Sequence, residues 1–195
     1  LPAMSKTVVA EGYGGPEVLG VQDIVLADPG PEQVLIDVKA AGTNPFDYKS
    51  YSGSMGDDPD KLPIPLGLEV SGVIAAVAPG MNGFTGPLTV GDEVIATGLR
   101  GGYSEQVIVD AADVGHKPAS LGFEQAAGLL LAGCTAWHLL TATRVEKGDT
   151  VLIHGGSGGV GLFAVQLAVA RDAKVIATAS PARHEQLRRY GANPV

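Results

Sequence analysis

Between residues 151 and 170 the sequence reads VLIHGGSGGVGLFAVQLAVA. Gly156, Gly158 and Gly161 stand in the spacing G-x-G-x-x-G, with Ser157, Gly159 and Val160 between them. Residues without a Cβ let a chain turn sharply, come close to a pyrophosphate and seat a helix against a sheet. Free N–H groups at the start of the following helix then attract the anion. The spacing alone also describes a plain tight loop. The strand-like apolar run before it and the helical composition after it are the context that the phosphate-binding reading demands.

If the bend holds a dinucleotide, the cofactor is chosen about twenty residues on, where an acid would accept hydrogen bonds from the ribose 2′-hydroxyl of NAD. Here residues 179–184 read ASPARH, with no acid before Glu185. Ser180 and Arg183 stand where a 2′-phosphate would lie, so a charge-assisted contact replaces repulsion. The expected cofactor is NADP(H). Ser180 is also placed to cap a helix, and Arg183 suits an ordinary surface.

The elements around these residues fall into two grammars. Up to about Lys117 the runs 6–10, 18–26, 33–41, 70–78, 92–97 and 104–109 are short, rich in valine and isoleucine, and separated by Pro79-Gly80, Asn82-Gly83 and Gly101-Gly102. They predict a compact β domain. After Pro118 the composition turns to alanine and leucine and predicts a helix over 123–143. A strand at 150–154, a helix at 159–170, a strand at 174–179 and a helix at 181–190 follow, with Ser180 as cap and Pro181 at the first helical position. This βαβα alternation implies an α/β fold with a parallel sheet. The helix 159–170 is apolar nearly all round and needs cover on both sides. A third strand begins in GANPV, whereas a complete dinucleotide fold has six. The expectation is an incomplete domain that by itself binds cofactor poorly. Domain limits are placed at 4–122 and 123–195. Asp172 follows the helix 159–170, and aspartate tolerates the left-handed conformation better than most residues.

Composition narrows the function classes. Of 195 residues, 45% are hydrophobic and 17% charged, with a formal net charge of −8. No basic surface exists in bulk for a phosphate polymer or an anionic membrane, so nucleic acid is not an expected partner. Cys134 is the single cysteine, which leaves no disulfide within the chain, no cysteine-rich zinc cluster, and an expectation of a reducing, cytoplasmic setting. The segment 126–143 carries no formal charge, but glycine and threonines interrupt it short of a spanning helix. His116 and His138 lack ligand company and read as structural.

The runs AAGTNPFDYKS (40–50), PLGLEVSGVI (65–74), GDEVIATG (91–98), GGYSEQVIV (101–109), AAGLLLAGCTAW (126–137) and HGGSGGVG (154–161) together resemble the zinc-free, zeta-crystallin-like quinone oxidoreductases of the medium-chain dehydrogenase/reductase superfamily. The resemblance implies a GroES-like β domain followed by an incomplete Rossmann domain, with the active site in the cleft between them. It also implies hydride transfer from NADPH to a quinone or an α,β-unsaturated carbonyl, and a homodimer when full-length. Zinc-dependent relatives place a cysteine soon after the glycine of Ala41-Gly42-Thr43-Asn44 and a His-Glu pair at Gly67-Leu68-Glu69; this chain has neither, so no metal is expected. A conjugated acceptor instead takes hydride while hydrogen bonds hold the developing oxyanion. Carried over by position, Asn44 would lie near the nicotinamide and the acceptor oxygen, and Thr135 would touch the cofactor. Tyr48 is the expected donor toward substrate. Asp47 is expected to cap or brace the helix after Asn44, and Tyr51 stands where many relatives have arginine. A 2-alkenal or enoyl reductase and a non-catalytic NADPH-binding sensor or structural protein are the alternatives.

Overall fold

The computed structural model describes residues 3–195. The chain divides into two compact units, one ending at Leu130 and one running from Leu131 to Val195. In the first unit β1 (Ala3–Ala10) pairs antiparallel with β2 (Leu19–Leu26) along its whole length and, at its end, with β4 (Ile64–Pro65). A five-stranded antiparallel sheet is made of β3 (Gln33–Ala41), β5 (Val70–Val77), β8 (Glu93–Ala96), β9 (Gln106–Asp110) and β10 (Val114–His116), in the spatial order β10-β8-β5-β3-β9. A small hairpin joins β6 (Asn82–Gly83) to β7 (Gly86–Pro87).

Alternation along β3 turns Val34 and Ile36 inward, where they meet Val70 and Ile74 of β5 and Val94 of β8, all at 1% exposure or less. Each such side chain contributes about 1.5–3 kcal/mol by leaving water. This face fixes the register, because a slip of one residue would turn it outward. Beside it, α1 (Pro45–Tyr51) is anchored by Tyr51, which is buried with Ala10, Ile64 and Leu66. Tyr51 is therefore a core residue.

The helix expected over 123–143 is two helices, α2 (Phe123–Ala127) and α3 (Leu130–Ala142). Gly128 ends the first, and the Leu129 N–H turns back to the Ala126 carbonyl. Glycine is the weakest helix former after proline, and α2 is held to the β unit, where the Ser71 hydroxyl donates to the Phe123 carbonyl at 2.6 Å. Composition could not see that anchor.

In the second unit β11 (Thr150–Ile153), β12 (Lys174–Ala177) and β13 (Ala192–Pro194) form a parallel sheet in the order β11-β12-β13. With α4 (Gly159–Ala170) and α5 (His184–Arg189) this is a βαβαβ arrangement of the doubly wound α/β kind, and β13 is the third strand read in GANPV. Val165, Ala168, Val175 and Leu187 fill its core together with Leu140 of α3. On the flank of α4, a Cβ placed on Gly133 of α3 would stand 3.8 Å from Phe163, so α3 supplies part of the cover that an all-apolar helix needs. Asp172 adopts φ +59°, the left-handed conformation that aspartate tolerates.

One expected cap is absent. Residues 181–183 form a 3₁₀ turn that leads into α5, and the Ser180 hydroxyl makes no capping bond. Pro181 has no N–H to offer, and the Arg183 N–H is already taken by the Ser180 carbonyl at 2.9 Å. Among the described residues no helix is long and apolar enough to cross a membrane.

Candidate functional site

The glycine bend lies where the sequence puts it, between β11 and α4. Its sharpest point is Gly155, at φ +67°, one residue before the G-x-G-x-x-G spacing. Thr178, just past β12, holds this turn from both of its polar ends: its hydroxyl accepts from the Gly155 N–H at 3.0 Å and its carbonyl from the Gly156 N–H at 2.9 Å. Nothing local in the sequence marks Thr178, because its partners lie 22 or more positions away.

Gly161 brings the helix against the bend. A Cβ there would stand 2.1 Å from the Gly155 carbonyl oxygen and 2.9 Å from the Gly156 Cα. The Gly158 N–H is taken by the Gly155 carbonyl and the Leu162 N–H by the Gly158 carbonyl. The N–H groups of Ser157, Gly159, Val160 and Gly161 have no acceptor among the described residues. A helix start leaves such groups unsatisfied, and their alignment adds the positive end of the helix dipole. A cavity of about 710 Å³ opens at this place, bordered by Gly155, Gly158 and Val160 of the bend, Leu152 of β11, Leu139 of α3, and Thr143 in the turn after α3. Its size suits a nucleotide-sized ligand.

Beyond β12 no acid intrudes. Glu185, the first one, pairs with Arg189 one turn along α5. Ser180 and Arg183 are exposed, and among the described residues the Arg183 guanidinium has no ion pair. The bend, the absent acid and the free cation fit a dinucleotide carrying a 2′-phosphate. Thr135 also lies in this unit, exposed on α3, but its hydroxyl donates to the Leu131 carbonyl at 2.6 Å. A ligand meeting Thr135 therefore meets an acceptor.

The other candidates belong to the first unit. Asn44 precedes α1 in an extended conformation, and its side-chain amide donates to Glu69 Oε1 at 3.0 Å. Glu69 is only 2% exposed. The backbone N–H of Asn44 is held as well, by Asp47 Oδ2 at 2.8 Å. Asp47 is buried and also accepts from the Tyr103 hydroxyl at 2.8 Å and from the Gly67 N–H at 3.1 Å. It braces Asn44, as expected, and in addition ties α1 to the turns at 67 and 103. Tyr48 is half exposed on α1, and its hydroxyl has no hydrogen-bond partner among the described residues. Glu69 and Tyr103 are the residues that sequence reasoning missed.

Burial, and then donation to the Asp47 carboxylate, hold the Tyr103 hydroxyl well above the ordinary phenol range. A pKa raised on folding gives stability that is fully present below the unfolded value, near 10, and lost as pH rises through the folded one. The first unit should therefore lose stability above about pH 10, and Tyr103→Phe should flatten that alkaline limb. Urea unfolding followed by circular dichroism at stepped pH measures both. Among the described residues no group of three or more His, Cys, Asp or Glu stands close enough to hold a metal ion. His116 is held by the Thr85 hydroxyl at 2.7 Å, a structural contact.

Residues 30–119 match the alcohol dehydrogenase GroES-like domain. The quinone oxidoreductase of Pseudomonas aeruginosa is 39% identical over 192 residues, which cover 97% of this chain and 57% of that protein. Over nearly its whole length the chain is thus similar to quinone oxidoreductases of the medium-chain dehydrogenase/reductase superfamily. It spans little more than half the length of that P. aeruginosa relative. Among solved structures of this family, the quinone oxidoreductase of Coxiella burnetii superposes with a TM-score of 0.88 at 35% identity, over 98% of this chain and 62% of that one. The Escherichia coli quinone oxidoreductase, solved in complex with NADPH, gives 0.85 at 32% identity, over 97% of this chain and 59% of that one.

Proposed function

We propose that the protein is an NADPH-dependent reductase that delivers hydride to quinones or α,β-unsaturated carbonyls without a metal ion. The observation that carries this reading is the set of four unpaired amides at the bend, Ser157, Gly159, Val160 and Gly161, where the backbone approaches too closely for side chains. These donors bind the pyrophosphate, and the N-terminus of α4 adds its dipole. Ser180 and Arg183 receive the 2′-phosphate, with the guanidinium as the charged partner. Thr178 keeps the bend in its binding shape from behind.

The first unit supplies the groups for the acceptor. One N–H of the Asn44 amide is held by Glu69, which fixes the amide plane and leaves its second N–H to polarise an acceptor oxygen. Asp47 holds the Asn44 backbone, so the amide needs no reorganisation when charge develops. Tyr48 presents a hydroxyl that has no partner among the described residues and is the donor to the reduced acceptor. When bound, NADPH supplies the hydride, and a conjugated carbonyl needs only hydrogen bonds to accept it. A quinone and an enone present the same oxygen to these groups, so the comparison of acceptors ranks the two substrate classes.

Fluorescence titration with NADPH and NADH tests the cofactor assignment. NADPH should bind at least tenfold more tightly, and Arg183→Ala should remove most of that preference, since a charge-assisted hydrogen bond is worth about 1.5–3 kcal/mol. Equal affinity for the two cofactors sinks the assignment of Ser180 and Arg183. An absence of NADPH oxidation across a panel of quinones and conjugated enones sinks the activity.

A further inference from the structure

The first unit holds a second cavity, of about 350 Å³, whose walls include Tyr13, Ser50, Met55, Lys61, Ile64 and Arg100. We propose that it is a binding site for a small aromatic carboxylate, separate from the Asn44–Tyr48 side of α1. Phe46 and Ser50 are one helical turn apart and share a face of α1, whereas Tyr48 lies between them in sequence and points the other way.

The cavity is chemically divided. Met55, Ile64 and Pro65 give it an apolar wall, and Lys61 and Arg100 give it two cations. No carboxylate lines it. Among the described residues neither cation has an ion pair or a hydrogen bond. Single exposed cations are ordinary, but here two border one concave space in a chain of net charge −8. Of the acids in the adjoining segment 57–60, Asp58 accepts from the Asp60 N–H at 3.0 Å with its side chain and from the Tyr13 hydroxyl at 2.8 Å with its carbonyl.

Arg100 is also held in place. Its guanidinium stacks on the Phe46 ring, 5.5 Å from the centroid, which leaves the edge of the fork free for a bidentate carboxylate. Leu99, at 6% exposure, roots the loop that carries it. The two hydroxyls complete the polarity. The Ser50 hydroxyl donates to the Asp47 carbonyl at 2.6 Å and Tyr13 donates to Asp58, so both oxygens face a ligand as acceptors. An aromatic acid with a hydroxyl or amino substituent satisfies all three features: a ring on the apolar wall, a carboxylate on Arg100 and Lys61, and a donor to Ser50 or Tyr13.

Isothermal titration of the protein with 2-naphthoate, naphthalene-2-carboxamide and inorganic phosphate tests this. Naphthoate should bind saturably, more weakly at higher salt, and about tenfold or more tighter than the neutral amide. Phosphate, which has no apolar body, should bind about tenfold more weakly than naphthoate. The paired substitution Lys61→Gln and Arg100→Gln should remove naphthoate binding while leaving NADPH affinity and the thermal midpoint unchanged, and Lys61→Glu should weaken it further than Lys61→Gln. Equal affinity for the amide, phosphate binding as tight as naphthoate, or naphthoate binding that survives the double substitution each overturns the proposal. Displacement of naphthoate by NADPH also overturns it, because it would place the acid at the glycine bend. The proposed function is read out separately by the NADPH titration, so either can fail alone.

Discussion

Asp47→Ala should lower the stability of the first unit by about 4 kcal/mol and bring down its thermal midpoint by roughly 8–16 °C. Three donors converge on this carboxylate: the Asn44 N–H, the Gly67 N–H and the Tyr103 hydroxyl. Removing the acceptor strands all of them, and a buried unsatisfied donor costs about 1–3 kcal/mol. Gly67 has no route to relief, since it is held at φ +91° with the Tyr103 N–H beside it. Asp47→Asn should cost less but still be destabilising, because one amide group offers a single acceptor oxygen in place of two. Differential scanning calorimetry gives the midpoints. A midpoint unchanged in Asp47→Ala would mean that the three hydrogen bonds have ready substitutes. The same variant should reduce turnover more than NADPH affinity, because Asn44 loses its brace while the glycine bend keeps all of its own contacts.

Gly161→Ala should reduce NADPH affinity at least tenfold and destabilise the second unit by about 1–3 kcal/mol. The added methyl would meet backbone rather than a movable side chain, at 2.1 Å from the Gly155 carbonyl oxygen. The start of α4 must then move away from the bend, and the four unpaired amides lose their common focus. Gly159→Ala is the control, since a Cβ there meets nothing within 4 Å. It should leave the midpoint unchanged or raise it slightly, as alanine is the better helix former. Wild-type NADPH affinity in a folded Gly161→Ala protein would remove the bend from the cofactor site.

The contrast between these two sites shows what a sequence exposes. The bend was legible because its requirements are local: strand, bare turn and helix are contiguous, and the glycines state the steric demand directly. Asn44 enters only through the family resemblance, and Asp47 is expected to cap or brace the helix after Asn44, which its bond to the Asn44 N–H does. The further partners of Asp47 were not legible, because Gly67 lies 20 and Tyr103 56 positions away and only the fold brings them in. Glu69 was passed over for a related reason. It was weighed as half of a missing metal pair, whereas its burial beside Asn44 belongs to tertiary structure. Helix limits failed where a neighbour decided them: α2 is held by Ser71, and the Ser180 hydroxyl has no capping role because its own carbonyl already holds the Arg183 N–H. The short strands β4, β6, β7 and β10 carry two or three residues each, too few for alternation to register.

Strand β11 pairs with β12 on one side, and among the described residues no strand lies on its other side. Leu152 stands half exposed there, next to the apolar border formed by Leu139. An outer row of backbone groups beside such a surface is a template for any extended segment of another molecule. Mutual repulsion between chains of net charge −8 opposes that templating, and repulsion of this kind reaches only about 10 Å once the salt concentration is 0.1 M. Raising the ionic strength therefore weakens that opposition.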